Sequence, residues 1–305
     1  MIISASRRTD IPAFYSDWLY NRLEQGYVYV RNPMNEHQVS KIVLNPEVVD
    51  CFVFWSKNPK PFIKRLSQLQ NYSYYFHYTL TGYGRKMEPY VPELQDSITC
   101  FIALSKNIGR QAIIWRYDPI IITDIFTVEY QVKTFETIAR QLSGYTDECI
   151  ISFVDYYKKT IKNLSGIDYS DITLDRINDL AQTFNKLGQR YGITIKTCAE
   201  EIDLSKYGID HAKCIDNKRI ETIIGSSLKT EKDKNQRAAC GCVTSIDIGS
   251  YNSCPHGCLY CYANYDMKRV HNNFAQHDKH SALLFGKVAQ DDIITDRKMF
   301  SCKTN

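Results

Sequence analysis

Short runs of apolar, β-branched and aromatic residues recur along the chain with little polar alternation inside them. They fall at residues 2–4, 27–30, 51–55, 74–79, 112–116, 149–153, 193–197 and 243–247. Runs of this kind read as strands buried on both faces, the usual state in a parallel sheet. Helical spacing fills several of the gaps. Asp10 is placed to cap a helix that carries Pro12 in its first turn and Trp18, Leu19 and Leu23 beyond. Residues 127–142 put Val128, Val132, Phe135, Ile138 and Leu142 on one stripe. Residues 171–191 do the same with Leu174, Ile177, Leu180, Ala181, Phe184 and Leu187. Strands alternating with helices predict parallel βαβ units, and eight strands predict an α/β fold of (β/α)8 TIM-like barrel type. Two connections fit less well. Residues 32–50 hold Pro33 and Pro46 and at most a short helix, and residues 226–239 read as a charged, solvated loop.

Length adds little to this picture: 305 residues suit one large domain, 1–305. Residues 240–275 form a cysteine loop with a helix after it. The tail, 276–305, has one apolar cluster, Leu283, Leu284 and Phe285, expected to pack on the body. The 38 basic and 34 acidic residues leave a net charge of +4, too small to argue nucleic-acid binding by charge. Most of the 22 tyrosines are expected in walls and core, since Tyr74, Tyr75 and Tyr78 sit in a strand run. No apolar stretch approaches the ~20 residues of a membrane helix. Residues 1–8 lack a basic leader followed by an apolar segment, so a cytoplasmic protein is expected. Eleven cysteines then point to metal rather than to cross-links.

Cys254-Pro-His-Gly-Cys258-Leu-Tyr-Cys261 gives a C-x3-C-x2-C spacing. Four thiolates close an iron–sulfur cube, so three leave one iron open to a small molecule. The alternative is structural zinc. Cys258 and Cys261 would form one pair, completed by Cys240 and Cys242 or by Cys254 and His256. That reading makes the chain a zinc-stabilised binding module, for nucleic acid if its affinity is salt-dependent.

Barrel chemistry gathers where strands end. Those positions carry Ser6, Arg7, Arg8 and Asp10; Arg31 and Asn32; Trp55, Ser56, Lys57 and Asn58; Thr79 and Thr81; Arg116 and Asp118; Ser152 and Asp155; Thr197, Cys198 and Glu200. Charges there are costly unless paired or hydrated, which predicts a wet, functional mouth. Arg7 and Arg8 either pair with carboxylates or meet a ligand, and Arg116 and Asp118 either pair together or bind substrate. A planar guanidinium suits a carboxylate bidentately. His77, in mid-strand, is expected to be a wall residue. Cys198, Cys214, Cys240 and Cys242 make a candidate second metal site, with Gly241 between the last two easing their convergence. Cys51, Cys100 and Cys149 are expected in the core, and Cys302 stands alone.

Residues 254–264 resemble the cluster loop of the radical S-adenosylmethionine (SAM) superfamily. The string Cys258-Leu-Tyr-Cys-Tyr-Ala-Asn264 is most similar to the spore photoproduct lyase branch. Trp115-Arg116-Tyr-Asp118-Pro119 resembles a strand end in the same branch. The whole chain also resembles an uncharacterised bacterial domain-of-unknown-function family with such a loop near its end. The resemblance implies a 4Fe–4S cluster on Cys254, Cys258 and Cys261, with the open iron binding the amino and carboxylate groups of SAM. An electron from a donor such as a ferredoxin or flavodoxin would then cleave SAM to methionine and a deoxyadenosyl radical that takes hydrogen from an unknown substrate. Nucleic acid is one candidate, because the branch contains a DNA-repair enzyme. The cofactor carries that chemistry, and the protein binds, orients and shields. Tyr260 is implied beside the adenine.

The superfamily's loop usually follows the first barrel strand, whereas here it follows the last. A circularly permuted barrel, with residues 243–247 in first place, accounts for this. Ser6, Arg7, Arg8 or Asp10 would then replace the family's Gly-Gly-Glu-like segment, since the chain has no Gly-Gly pair.

Overall fold

The computed structural model describes residues 1–154, 158–164, 167 and 172–304. Among the described residues the strands are β1 (Ile2–Ala5), β2 (Tyr27–Asn32), β3 (Asn35–Val43), β4 (Cys51–Ser56), β5 (Tyr74–Thr79), β6 (Ile113–Ile120), β7 (Glu148–Phe153), β8 (Thr194–Thr197), β9 (Asp210–His211), β10 (Ile246–Asp247) and β11 (Ile293–Asp296). Eight of them form one sheet in the order β10-β1-β4-β5-β6-β7-β8-β9, parallel at every pairing. The last of these strands therefore lies beside the first, with Ile246 opposite Ile3.

Why the apolar runs are continuous is visible in the two faces. Alternate residues Ile3, Ala5, Phe52, Phe54, Phe76, Tyr78, Ile113 and Trp115 join one core. Helices Ser16–Gln25, Leu94–Ile108, Val128–Leu142 and Leu174–Tyr191 add Trp18, Leu19, Phe101, Phe135, Leu180 and Phe184 to it. Phe135 stacks on Phe184 at 4.1 Å between ring centroids, joining two of these helices. The intervening residues Ile2, Cys51, Val53, Tyr75, Ile114 and Ile150 form a second core with Ala212, Ile215, Ile220 and Val243. Both sides of the strands are thus withdrawn from water, each buried aliphatic or aromatic side chain contributing about 1.5–3 kcal/mol.

Several expectations change here. The run at 27–30 does not enter the parallel sheet. β2 pairs antiparallel with β3, and β11 pairs parallel with β3 in a separate three-stranded sheet. Residues 32–50, expected to hold at most a short helix, instead supply the nine residues of β3. Its sequence, Asn-Glu-His-Gln-Val-Ser-Lys-Ile-Val, buries only Val39 and Ile42. A strand solvated along most of its length leaves little apolar period to read. The eighth place in the parallel sheet goes to the two-residue β9. Arg31 and Asn32 consequently lie away from the strand ends of the main sheet, and Arg31 is held by Asp292 at 2.7 Å.

The helix predicted after Asp10 is split into Ile11–Phe14 and Ser16–Gln25. Asp10 does cap it, accepting from Ala13 N at 2.9 Å, and Ser16 Oγ donates to Pro12 O across the break. The stripe on Leu174–Tyr191 holds except at Leu174, which is exposed. Asp171 and Asp155 lie outside the described residues. Leu283 and Leu284 are buried, tying the tail to the body. Among the described residues no helix is long and apolar enough to cross a membrane.

Candidate functional site

The carboxyl ends of the parallel strands open onto a cavity of about 470 Å³, within the roughly 300–1,000 Å³ of small-molecule sites. Among the residues singled out above, Ser6, Arg7, Arg8 and Asp10; Arg116 and Asp118; Cys198, Cys214, Cys240 and Cys242; and Cys254, Cys258, Tyr260 and Cys261 line it, whereas Arg31, Asn32, Asn58, Thr81, Thr197 and Glu200 do not. Parallel strand order is the cause. Each strand delivers the residues that follow it to the same rim; Cys240 and Cys242, which precede β10, reach it from an irregular segment.

The cysteine loop follows β10 and is fastened from several sides. Asp10 Oδ1 caps the first helix, while Asp10 Oδ2 accepts from Lys57 N at 2.7 Å. The same oxygen lies 2.7 Å from His256 Nε2. Tyr15 OH donates to Ser253 O at 2.5 Å, and Asn264 Nδ2 donates to Cys254 O at 2.8 Å. Leu259 N donates to Met87 O at 3.0 Å. Gly257 has φ +69°, the left-handed region that glycine enters without strain.

At the end of β10, Asp247 binds the segment after β1. It accepts from Ser4 Oγ at 2.7 Å, Ser6 Oγ at 2.6 Å, Arg7 N at 3.0 Å and Gly249 N at 2.9 Å. A Cβ on Gly249 would lie 2.1 Å from Ser6 Oγ, so that close approach requires glycine. Ser6 is thereby committed to structure through its hydroxyl. Arg7 donates to Ser245 Oγ at 3.3 Å and packs over Trp55, and Arg8 lies over the Tyr251 ring.

Beside Cys258 sits a buried pair that the sequence did not announce. Lys57 Nζ donates to Glu88 Oε1 at 2.7 Å. The same carboxylate accepts from Thr81 Oγ1 at 2.7 Å and from Tyr260 OH. Burial pushes the Glu88 carboxyl up, but the charge of Lys57 and the hydrogen bonds from Lys57, Tyr260 and Thr81 win, holding it below its ordinary range. Burial pushes Lys57 down, and the negative charge of Glu88 with its hydrogen bond outweighs it. The Tyr260 ring faces the cavity with its hydroxyl already engaged. Glu88 sits in an irregular segment with no pattern around it, so no sequence signal pointed to it. Asp247 had one: a carboxylate at the very end of an apolar run.

On the rim from β6, Arg116 Nε donates to Asp118 Oδ2 at 3.0 Å, Arg116 Nη2 contacts the same oxygen, and Arg116 Nη1 reaches Cys214 Sγ at 3.0 Å. Ser152 Oγ donates to Asp118 Oδ1. The pairing of Arg116 with Asp118 is thus real and extends to a cysteine. Cys198 Sγ lies 3.1 Å from Cys214 Sγ. The neighbouring Cys242 brings the Cys240 thiol down to about 7. No disulfide joins any of the eleven cysteines. His77 is a buried wall residue, as expected, with Nε2 donating to Cys214 O at 2.7 Å. Cys51 and Cys149 are buried in the core and Cys100 is half-buried.

Metal geometry separates two kinds of site. A single tetrahedral zinc, with Zn–S of about 2.3 Å, draws its sulfurs to about 3.8 Å from one another. Among the described residues, the one set of three or more His, Cys, Asp or Glu donors mutually within 4.8 Å is His37, Asp291 and Asp292. It is on the outlying sheet, and Arg31 already grips both oxygens of Asp292. Neither group of cavity cysteines has the spacing of a one-ion grip.

The chain belongs to the family described as Domain of unknown function (DUF1848), whose model matches residues 2–263. No functionally curated protein matches it. Among solved structures it is similar to a putative alpha-L-fucosidase from Bacteroides thetaiotaomicron VPI-5482, at 14% identity and a TM-score of 0.27 over 59% of this chain and 73% of that one. That likeness is too slight to bear on fold or activity.

Proposed function

We propose that this DUF1848 member is a radical SAM enzyme. The observation that carries the reading is the convergence of Cys254, Cys258 and Cys261 on a cavity at the carboxyl ends of a parallel sheet, with Tyr260, Ser6, Arg7, Arg8, Arg116 and Asp118 on the same walls. The donor set fits a 4Fe–4S cluster: three buried or half-buried thiols, no disulfide, and sulfurs spread wider than one ion requires. Cys254, Cys258 and Cys261 would hold three irons and leave the fourth for SAM, a pair that when bound supplies reductive cleavage and a hydrogen-abstracting radical.

The remaining work belongs to the chain. Burial pushes the Cys254 and Cys258 thiols up, so a metal must displace their protons on binding. Lys57 opposes that shift at Cys258 and lowers the cost of a thiolate there. Asp10 anchors His256 and with it the loop. Tyr260, tethered through Glu88, offers a flat wall to a purine. Arg7 and Arg8 line the cavity and would offer cations to a carboxylate, Arg7 from beside Asp233, while Arg116 is held by Asp118 and Cys214.

A rolled (β/α)8-type arrangement, permuted so that β10 stands first, is part of the proposal. The hydrogen bond from Val243 N to Ile215 O, 3.1 Å, supports it by bridging from beyond β9 toward β10. A cytoplasmic setting and a flavodoxin- or ferredoxin-type reductant go with the chemistry.

Iron and sulfide supplied anaerobically should give a brown protein that, with dithionite and SAM, releases deoxyadenosine. The Cys258→Ala variant should lose that release. A colourless protein with stoichiometric zinc and no SAM cleavage would overturn the reading in favour of a zinc-stabilised binding module.

A further inference from the structure

We propose that Cys198, Cys214, Cys240 and Cys242 bind a second iron–sulfur cluster on the wall of the same cavity. The four thiols arrive on separate pieces of chain: one follows β8, one follows β9, and two precede β10. All four nevertheless reach the wall of one cavity, where the sulfurs of Cys198 and Cys214 lie 3.1 Å apart. No local element needs four cysteines in those places.

Two N–H donors face these sulfurs. The buried Arg116 guanidinium spans Asp118 and Cys214, directing one N–H at 3.0 Å to the sulfur. Ile215 N donates to Cys242 Sγ at 3.3 Å. A buried cation facing a sulfur, together with a backbone N–H···S bond, stabilises thiolates that would otherwise repel one another. The sulfurs do not stand as a one-ion site. No three of these sulfurs meet the mutual 4.8 Å limit, whereas a mononuclear thiolate site needs all four at about 3.8 Å. Four ligands close every corner of a cluster, so this centre would present no open iron. The inference does not depend on the three-cysteine loop binding anything.

The test uses the full chain, reconstituted anaerobically with ferrous iron and sulfide. In the Cys254→Ala/Cys258→Ala/Cys261→Ala variant, iron and acid-labile sulfide should fall to roughly half of wild type, with a brown chromophore and an EPR signal that no longer responds to SAM. In the Cys198→Ser/Cys214→Ser/Cys240→Ser/Cys242→Ser variant they should also fall to roughly half, leaving a SAM-responsive cluster. The single Cys240→Ser change gives the same readout with less risk to folding: an altered signal from the centre that is blind to SAM. The inference is overturned if the loop variant holds no iron, if the four-cysteine variant keeps the wild-type content, or if the site takes up zinc or closes a Cys198–Cys214 disulfide. Failure of the loop assignment has a different signature: undiminished iron in the loop variant.

Discussion

Two groups of cysteines line one cavity and are built in opposite ways. Cys254, Cys258 and Cys261 come from eight consecutive residues, and neighbouring elements hold that loop through Asp10, Tyr15 and Asn264. Cys198, Cys214, Cys240 and Cys242 come from three segments and meet only because β8 and β9 deliver the first two to the rim that the segment before β10 also reaches. The first group is a property of a short peptide, the second of a fold. Damage to the supports should therefore separate them.

The largest effect is expected from the pair beneath the loop. Glu88→Gln leaves Lys57 buried without its counter-ion, a loss of about 3–5 kcal/mol in unfolding free energy, read by urea denaturation. Iron at the loop should fall before iron at the four-cysteine wall. The pH dependence has a definite sign. Glu88 is held below its ordinary range, so its contribution is complete above that range and disappears as pH falls through the lowered folded value. Lys57 is raised, so its share is complete below the ordinary lysine value and disappears as pH rises through the higher folded one. Glu88→Gln should flatten the acid limb of the stability profile. An unchanged acid limb would remove the pair from the account.

Gly249→Ala comes next. Its Cβ would meet Ser6 Oγ at 2.1 Å and Ser6 Cβ at 2.5 Å, pushing apart the segments after β1 and β10 at a cost of about 1–3 kcal/mol. Differential scanning calorimetry reads the loss. Both cysteine groups should remain metal-competent, because neither rests on that contact. Smallest is Asp292→Asn on the outlying sheet, where the paired Asp292 carboxylate is brought down to about 2 by Arg31. A slight fall in melting temperature with unchanged iron content is expected. Lost iron would mean that this sheet supports the cavity after all.

The same contrast explains what the sequence disclosed. Strands buried on both faces announce themselves as unbroken apolar runs, so β4 to β8 were legible, and with them the rim positions Arg116, Asp118 and Cys198. β3 was hidden because seven of its nine residues are not buried. β9 was too short to register a period. The run at 27–30 misled because apolar content does not say which sheet a strand will join. At the site, every cavity cysteine was visible as a residue, but only the contiguous three carried a spacing. Glu88 depended on the tertiary approach of Lys57 and Tyr260, for which a linear sequence holds no mark. Asp10 was read as a cap, and its second oxygen's hold on Lys57 N and His256 emerged only when the chain was folded.

Low-temperature EPR of the anaerobically reconstituted, dithionite-reduced chain, with and without SAM, tests the central claim most directly. A reduced-cluster spectrum that changes on adding SAM in the wild type, and a spectrum without that response in Cys258→Ala, is the predicted result. A wild-type spectrum indifferent to SAM, or one that keeps its SAM response after Cys258 is replaced, would contradict it.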